Sequence, residues 1–303
     1  MIRILIADRL SAKTIEKLSE IPEFEVVEKT ELAADQLKEE IRHVEAVVVG
    51  SAAKLTKDLI ANGAKLQIIV RAGIGLDNVD ADFARSRNIE VCNTPGATSI
   101  TVAEYTLAQM LNACRFIGPA FRSMKEHRWE KKQFTAGIEL HGKTAGIIGL
   151  GRIGKELAQR LLALGMQVIF HDLEEIKTDL NVRPVSLDEL LQTADFISIH
   201  LPLTDRSRQL ISHREFALMK KSAVLVNVSH GGVVDEVALL TALQEERIRA
   251  AVMDVFAKEP SDNYPLIDQT RLFPAPHLGA STLEGQERAG FEVITLLKEF
   301  FNV

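Results

Sequence analysis

Short apolar runs alternate with amphipathic stretches through the first third of the chain. The amphipathic stretches carry apolar residues at helical spacing, and the apolar runs, typical of buried strands, are IRILIA, FEVV, AVVV, LQIIV and IEVC. Strands that alternate with helices in this way indicate βαβ units and a parallel sheet. The pattern therefore predicts an α/β domain that begins with the first residues.

A second series of the same kind follows a long predicted helix. That helix is expected to begin near Thr101, because Thr101 and Glu104 fit a capping box. The strand runs that follow are TAGIIG, VIFHD, FISIH, AVLVNV and IRAAVMDV. The helical spacing of the apolar residues within residues 281–301 predicts a final amphipathic helix. The chain is thus expected to be α/β throughout, in two domains.

Composition and charge exclude several classes of protein. The 303 residues carry a formal net charge of −6, whereas nucleic-acid-binding proteins usually present a basic face. The two cysteines, Cys92 and Cys114, lack the spacing of a metal site or a disulfide framework, so we expect no metal and a cytoplasmic location. The N-terminus has no signal-peptide pattern, and the apolar runs are too short to span a bilayer. No nucleic-acid or membrane partner is therefore expected.

Three glycines join the first strand of the second series to its helix in the pattern G-x-G-x-x-G. They are Gly149, Gly151 and Gly154, with Arg152 and Ile153 inside the turn. The first glycine permits a tight turn, the second lets the backbone approach a pyrophosphate, and the third lets strand and helix pack closely. The helix N-terminus supplies N–H groups and a favourable dipole for phosphates. We therefore predict that these five residues bind a dinucleotide cofactor.

An acidic residue stands where a dinucleotide site requires one. Asp172 ends the next strand run, 18 residues after Gly154. Its carboxylate can accept hydrogen bonds from both ribose hydroxyls and would repel a 2′-phosphate. The residues that follow, LEEI, include no arginine or lysine. NAD is therefore the expected cofactor rather than NADP.

Three later segments carry histidines and acids: LVNVSHGGVVDE, AAVMDVFAKEP and APHLGAST. Together with GLGRIG, RAGIGLDNVD, NTPG and HRWEKKQF, they resemble the D-isomer-specific 2-hydroxyacid dehydrogenase family over nearly the whole chain. Within the family the likeness is nearest to members that oxidise 3-phosphoglycerate. It implies a Rossmann-type NAD-binding domain over residues 99–283, inserted into a flavodoxin-like substrate domain made of residues 1–98 and 284–303. It also implies a homodimer or higher homo-oligomer.

The same resemblance implies roles for individual residues. His277 would be the acid–base group, with Glu259 as its supporting carboxylate. Asp254 would contact the nicotinamide of the cofactor, although a helix cap is the alternative. The Gly73–Gly75 loop would bind the substrate carboxylate through backbone N–H groups, and Arg71 would lie near a substrate phosphate.

One position departs from the family pattern. In the segment 229–232 the family carries an arginine that clamps the substrate carboxylate and carbonyl oxygen, and this chain has His230. Arginine offers a planar fork of donors and is always charged, whereas histidine offers at most two ring donors. Loss of a comparable donor costs on the order of 10²–10³ in rate. Lower activity, a shifted substrate, lost catalysis and a tolerated replacement all remain open.

The expected reaction is the NAD-dependent oxidation of 3-phosphoglycerate to 3-phosphohydroxypyruvate, a step of serine synthesis. A broader 2-hydroxyacid dehydrogenase, such as a glyoxylate or hydroxypyruvate reductase, is the second hypothesis. An NAD-binding sensor or scaffold with weakened catalysis is the third, and His230 favours it. Only two residues follow the last predicted helix, so we expect no serine feedback through an appended regulatory domain. The segment RSMKEHRWEKKQF also carries a run of basic residues, which are Arg122, Lys125, Arg128, Lys131 and Lys132. This basic run is either a solvated face or part of a pocket for a substrate phosphate.

Overall fold

The structure, a computed structural model, describes residues 1–76 and 78–303. The chain divides into two compact units, of which the first comprises Met1–Ser99 with Ser281–Val303 and the second Ile100–Ala280. Asp77, inside the segment RAGIGLDNVD, lies outside the described residues. Among the described helices, none has both the length and the apolar character needed to cross a membrane.

Five parallel strands form the sheet of the first unit: β1 (Ile2–Ile6), β2 (Phe24–Glu28), β3 (Ala46–Val49), β4 (Ile68–Arg71) and β5 (Glu90–Asn93). The helices between them are α1 (Ala12–Ser19), α2 (Ala34–Glu40), α3 (Lys57–Ile60) and α4 (Ala81–Ser86). The strand order β2-β1-β3-β4-β5 is that of a flavodoxin-like sheet. Alternate residues of β3 pack into apolar clusters on opposite faces of the sheet, which is why the strand is buried throughout.

The second unit begins with two helices, α5 (Ser99–Arg115), whose first residue belongs to the first unit, and α6 (Ile117–Lys125). Its strands are β6 (Thr144–Ile148), β7 (Gln167–His171), β8 (Arg183–Pro184), β9 (Phe196–Ile199), β10 (Val224–Asn227), β11 (Ala250–Met253) and β12 (Leu272–Pro274). The helices between strands are α7 (Arg152–Ala163), α8 (Leu187–Thr193), α9 (His213–Leu218), α10 (Glu236–Gln244) and α11 (Tyr264–Ile267).

The strand order of this sheet places the functional loops together. The order β12-β11-β10-β9-β6-β7-β8 is that of a Rossmann fold with one additional strand, and all pairs are parallel. The chain runs outward from β6 to β8 on one side and from β9 to β12 on the other. Because parallel strands end at the same edge, the loops after β6, β7 and β9 to β12 all leave from one edge of the sheet.

The last helix, α12 (Leu283–Phe301), belongs to the first unit. Val293 and Leu297 are fully buried in the cluster that also contains residues of β1 and β4. The helix packs against α1 closely, since a Cβ added at Gly290 would lie 1.9 Å from the Thr14 hydroxyl oxygen. A glycine is therefore needed where the two helices meet.

The predicted fold class is confirmed, with one error in a helix boundary and two missed strands. The helix expected from Thr101 begins at Ser99, so Thr101 is buried inside it and does not cap it. The predicted capping box was wrong for this reason, and the carboxylate of Glu104 pairs instead with Arg160 at 3.3 Å. The short strands β8 and β12 both end in proline and are too short to show a period, so no pattern predicted them.

Asp235 caps the N-terminus of α10. Its carboxylate accepts hydrogen bonds from the backbone N–H groups of Val237 (3.0 Å) and Ala238 (3.2 Å) and from the Ser212 hydroxyl (2.9 Å). Burial alone would raise the pKa of Asp235, but the hydrogen bonds from Ala238, Ser212 and Val237 outweigh it, and the pKa lies below its ordinary value. The ionised carboxylate therefore stabilises the fold at neutral pH.

We expect Asp235→Ala to lower the free energy of unfolding by about 1 kcal/mol at pH 7, measured by urea denaturation, because two helix N–H groups lose their acceptor. The stabilisation is present above the unfolded-state pKa of about 4 and is lost as the pH falls through the lowered native pKa, so the difference should shrink in acid. Asp205→Ala, at an exposed turn residue, is the control and should change little. Equal stability of Asp235→Ala and the unsubstituted protein at pH 7 would contradict the capping role.

Candidate active site

The loop after β6 turns sharply into α7 through three glycines that have different surroundings. Gly149 has φ +93°, and a Cβ there would lie 2.6 Å from the His200 carbonyl oxygen. A Cβ at Gly154 would lie 2.3 Å from the Gly149 carbonyl oxygen. A Cβ at Gly151 would meet no described atom within 4 Å. Packing therefore requires the first and third glycines, whereas the second leaves the backbone open to a ligand.

The start of α7 adds an anion-binding feature to this turn. Gly151 is the N-cap residue, and Arg152 and Ile153 are the first two residues of the helix. The first N–H groups of an α-helix have no acceptor inside the helix, and the helix dipole favours an anion there. The open face at Gly151 and the helix start together fit the diphosphate of a dinucleotide.

Asp172 follows β7 and is tied to the same turn. One of its carboxylate oxygens accepts the backbone N–H of Leu150 at 2.8 Å, and the other accepts that of Glu174 at 3.2 Å. Each oxygen keeps a lone pair for a further donor, such as a ribose hydroxyl. The residues present therefore fit a dinucleotide without a 2′-phosphate.

His200 follows β9 and packs on the glycine turn through its backbone. Its ring Nε2 lies 2.8 Å from the Ser198 hydroxyl oxygen. Burial lowers the pKa of His200 to about 3, so the ring is neutral at physiological pH. Since Nε2 contacts Ser198 and Nδ1 is buried, neither ring nitrogen of this histidine is placed to exchange a proton with a substrate.

His277 and Glu259 meet at the carboxyl edge of the sheet, on the loops after β12 and β11. The distance from His277 Nδ1 to Glu259 Oε2 is 2.8 Å. Since a carboxylate only accepts, Nδ1 carries the hydrogen and Nε2 becomes the nitrogen that exchanges protons. The two side chains are 56% and 38% exposed, so the pair can be reached by a ligand. A histidine oriented in this way can donate or accept a proton at Nε2.

Hydrogen bonds to two carboxylates fix the loop that carries Glu259. Glu259 Oε1 accepts the N–H of Phe256 at 3.0 Å. Glu236, in the first turn of α10, accepts the N–H of Ala257 at 2.7 Å and the side-chain amide of Asn263 at 2.7 Å. The carboxylate of Glu259 is thus presented to His277 by a loop pinned at both ends.

Asp254 follows β11 and is fully buried. Its carboxylate accepts hydrogen bonds from the Tyr105 hydroxyl (3.0 Å) and from the backbone N–H groups of Leu278 (2.9 Å) and Gly279 (2.7 Å). Its carbonyl oxygen accepts the N–H of His277 at 2.8 Å. These contacts hold the loop that carries His277. The predicted contact between Asp254 and the nicotinamide of the cofactor stays a prediction.

His230 lies in the turn after β10. Its Nδ1 is 3.1 Å from the carbonyl oxygen of Leu201, so Nδ1 donates and Nε2 is the ring atom left for a ligand. Nε2 of a neutral ring accepts a hydrogen bond, and only the protonated ring could donate to a carbonyl oxygen. The side chain of Asn227 holds the turn by donating to the His230 carbonyl (3.2 Å) and accepting the Ser229 N–H (3.1 Å).

In the first unit, the predicted substrate residues lie at the end of β4 and in the turn after it. Gly73 is buried with φ +147°, and a Cβ there would lie 1.3 Å from Arg71 Nη1, so the arginine side chain folds over the glycine. The N–H of Gly73 donates to the Arg71 carbonyl at 2.9 Å and thus already has a protein acceptor. Gly75 follows in the same loop. Substrate binding by these three residues stays a prediction.

Sequence reasoning missed three residues that build the site: Tyr105, Asn227 and Glu236. Asn227 is a fully buried amide at the end of a strand, and Glu236 is an acid in a first helical turn, which are weak local signals. Tyr105 meets Asp254 across 149 positions of sequence, and no local pattern could have indicated that contact. The basic run at residues 122–132 is exposed, and Arg128 pairs there with Glu126 and Glu130.

The sheet order, the glycine turn and Asp172 define a dinucleotide-binding α/β protein of the Rossmann class. Residues 107–279 match the family described as D-isomer specific 2-hydroxyacid dehydrogenase, NAD binding domain. The chain therefore belongs to the D-isomer specific 2-hydroxyacid dehydrogenase family. The predicted family and the predicted NAD-binding domain are confirmed at the level of the family.

Relatives with different activities are similar to the chain. It is 44% identical to D-3-phosphoglycerate dehydrogenase of Methanocaldococcus jannaschii over 99% of its own length and 57% of that protein. It is 42% identical to hydroxypyruvate reductase of Thermotoga maritima over 96% of each chain. The chain thus spans little more than half the length of the phosphoglycerate dehydrogenase. A D-lactate dehydrogenase of Aquifex aeolicus, solved with NAD and lactic acid, superposes with a TM-score of 0.84 at 27% identity, over 99% of this chain and 95% of that one.

We expect Gly151→Ala to weaken NADH binding by about tenfold or more, because the new methyl enters open space where the diphosphate would pack, and to lower the unfolding temperature only slightly through the poorer helix cap. Binding is measured by fluorescence titration with NADH. The matched variant Gly154→Ala should lower stability by about 1–3 kcal/mol, since its methyl would meet a backbone carbonyl. NADH binding by Gly151→Ala equal to that of the unsubstituted protein would contradict the assignment of this turn.

Proposed function

We propose that the protein interconverts a D-2-hydroxy acid and its 2-oxo acid with NAD as the hydride carrier. The observation that carries the proposal is the pair formed by His277 and Glu259, 2.8 Å apart, in the unit that holds the dinucleotide turn. A histidine oriented by a carboxylate and open at Nε2 is suited to moving one proton to or from a substrate oxygen. NAD, when bound, supplies the hydride that the substrate carbon gains or loses.

Six residues of the second unit have a proposed part in the reaction: His277, Glu259, Gly151, Arg152, Ile153 and Asp172. In the reductive direction His277 donates the proton from Nε2 to the carbonyl oxygen, and in the oxidative direction it accepts that proton. Glu259 keeps Nδ1 protonated and stabilises the charged ring. The amides at Gly151, Arg152 and Ile153 hold the diphosphate, and Asp172 binds the ribose hydroxyls.

We propose that residues of the first unit bind the substrate. The loop after β4 binds the substrate carboxylate through backbone N–H groups, with Gly75 and its neighbours as the donors, because the N–H of Gly73 already has an acceptor. Arg71, at the end of β4, supplies a positive charge for a phosphate group.

As substrate we propose 3-phosphoglycerate, which is oxidised to 3-phosphohydroxypyruvate. The 44% identity with the D-3-phosphoglycerate dehydrogenase of Methanocaldococcus jannaschii supports it. Hydroxypyruvate or glyoxylate is the second candidate, supported by the 42% identity with the Thermotoga hydroxypyruvate reductase. An NAD-binding sensor or scaffold with weakened catalysis is the third, and His230 supports it because one ring nitrogen already bonds to Leu201, so the ring cannot offer the two-donor fork of an arginine.

We also propose that the protein acts as a homo-oligomer, a dimer in the simplest case. Several large apolar side chains are more than half exposed on α6 and the segment after it, which is unusual for a surface in contact with water alone. They are Ile117, Phe121, Met124 and Trp129. A cytoplasmic location stays a prediction.

Turnover of NADH with 3-phosphohydroxypyruvate, hydroxypyruvate and glyoxylate tests the proposal, followed as loss of nicotinamide absorbance. We expect at least one 2-oxo acid to be reduced, and His277→Asn to lower kcat by on the order of 10²–10⁴ because the proton donor is lost. His43→Gln is the control, since His43 is an exposed histidine far along the sequence from the site, and its activity should be unchanged. Full activity of His277→Asn would rule out the proposed acid–base group.

Restoring the family arginine measures what His230 costs. We expect His230→Arg to raise kcat/KM for the best 2-oxo acid by up to about 10²–10³, because a charged fork of donors replaces a ring whose Nδ1 is already bonded. The measurement is kcat/KM at several pH values for both proteins. If the arginine variant gains nothing with any of the three acids, His230 is not at the position of a substrate clamp.

A further inference from the structure

Three polar side chains on one face of α5 form a continuous chain of hydrogen bonds. The Gln109 side-chain amide donates to the Tyr105 hydroxyl at 2.8 Å, and the Asn112 amide donates to Gln109 Oε1 at 3.0 Å. The spacings of four and three residues place these side chains on neighbouring turns of the helix. At the outer end, the backbone N–H of Gly118 in α6 donates to Asn112 Oδ1 at 2.7 Å. At the inner end, Tyr105 donates to Asp254 at 3.0 Å.

The direction of every bond in this chain is forced by its two ends. The N–H of Gly118 can only donate, so Asn112 must present its oxygen there and its amide to Gln109. The carboxylate of Asp254 only accepts, so the Tyr105 hydroxyl must donate to it and accept from the Gln109 amide. Donors and acceptors therefore run head to tail in one direction, an arrangement in which each bond polarises and strengthens the next.

The chain ends on the carboxylate that shapes the His277 loop. Three consecutive backbone N–H groups, those of His277, Leu278 and Gly279, donate to Asp254, the first to its carbonyl oxygen and the other two to its carboxylate. His277 has φ +56°, a left-handed conformation that costs a residue with a side chain about 1 kcal/mol or more. This backbone conformation persists only if its neighbours hold it, and the bonds to Asp254 do so.

We propose that Tyr105, Gln109 and Asn112 are positioning residues for His277. They hold the buried carboxylate of Asp254 so that the His277–Gly279 backbone keeps the conformation in which the ring meets Glu259. This inference rests on the proposed function, in which His277 moves the proton. It differs from the role that the sequence predicted for Asp254, because the three residues act through the loop backbone.

The ionisation of Tyr105 agrees with a donor that is always present. Burial is the largest influence and, with the nearby Asp254 carboxylate, raises the pKa of Tyr105 to about 12, although the bond from Gln109 acts in the opposite direction. The hydroxyl keeps its proton throughout the pH range in which such an enzyme works. Replacing this hydroxyl removes one donor from a buried carboxylate without changing the shape of the ring.

The experiment is a double-mutant cycle of Tyr105→Phe and Gln109→Leu, with Tyr264→Phe as the matched control. Tyr264 is the other tyrosine of the chain and is 63% exposed on α11. The first readout is hydrogen exchange of the Leu278 and Gly279 amides in the cofactor-free protein. The second is kcat and KM for NADH and for the best 2-oxo acid. The unfolding temperature of each variant verifies that it is folded.

We expect Tyr105→Phe to speed exchange at both amides by about tenfold and to lower kcat by about tenfold, with KM for NADH unchanged, because loss of one hydrogen bond to a charged group loosens the loop. Gln109→Leu should change both quantities in the same direction by a smaller factor. In the Tyr105→Phe background, Gln109→Leu should add nothing, since its acceptor is already absent.

If the effects of Tyr105→Phe and Gln109→Leu multiply independently in the double variant, the proposal that they act through one chain of hydrogen bonds is overturned. It is also overturned if amide exchange and kcat of Tyr105→Phe equal those of the Tyr264→Phe control. If the unsubstituted protein turns over none of the 2-oxo acids, the proposed function fails. Hydrogen exchange in the double-mutant cycle then still decides whether the chain of hydrogen bonds holds the His277 loop. Should Tyr105→Phe not fold, Gln109→Leu alone is compared with the control, and unchanged exchange in it would refute the proposal.

Discussion

The parallel direction of the strands in the second unit is the constraint on which its chemistry depends. Because every strand ends at the same edge, residues far apart in the sequence leave the sheet side by side: the glycine turn after β6, Asp172 after β7 and the His277 loop after β12. The strand order reverses between β6 and β9, and open α/β sheets bind their ligands at such a switch point. The buried strands thus supply rigidity, and the loops at one edge supply the reacting groups.

Carboxylates and amides with no proposed part in proton transfer shape those loops. Asp254 binds the backbone of the His277 loop, Glu236 binds that of the Glu259 loop, and Asn227 binds the turn that carries His230. Asp254 and Asn227 are fully buried, and a buried polar group is tolerated only when it is hydrogen-bonded, so each of these two side chains both requires and fixes one loop conformation. The result is a histidine whose tautomer is set by Glu259 and whose backbone is set by Asp254, before any ligand arrives.

Local patterns in the sequence predicted the fold class and the glycine turn because each depends on residues close together in the chain. The alternation of strands and helices and the spacing of Gly149, Gly151 and Gly154 are of this kind. The predicted start of α5 was wrong because the helix continues two residues upstream of Thr101, to Ser99, and the capping-box pattern does not show that extension. The link from Tyr105 to Asp254 could not be predicted, since it spans 149 positions and depends on how α5 packs beside the sheet. Site residues that form a local pattern can thus be predicted from the sequence, whereas the long-range hydrogen bonds that orient them cannot.

Transfer of deuterium from NADH that carries deuterium at both hydrogen positions of the nicotinamide C4 tests the central claim most directly. The protein is incubated with the labelled cofactor and a 2-oxo acid, and the product is analysed by NMR and chiral chromatography. The account predicts a D-2-hydroxy acid that carries deuterium on its hydroxyl-bearing carbon, because the hydride passes directly between cofactor and substrate. A product with ordinary hydrogen at that carbon, an L-2-hydroxy acid, or no product with any 2-oxo acid would contradict it.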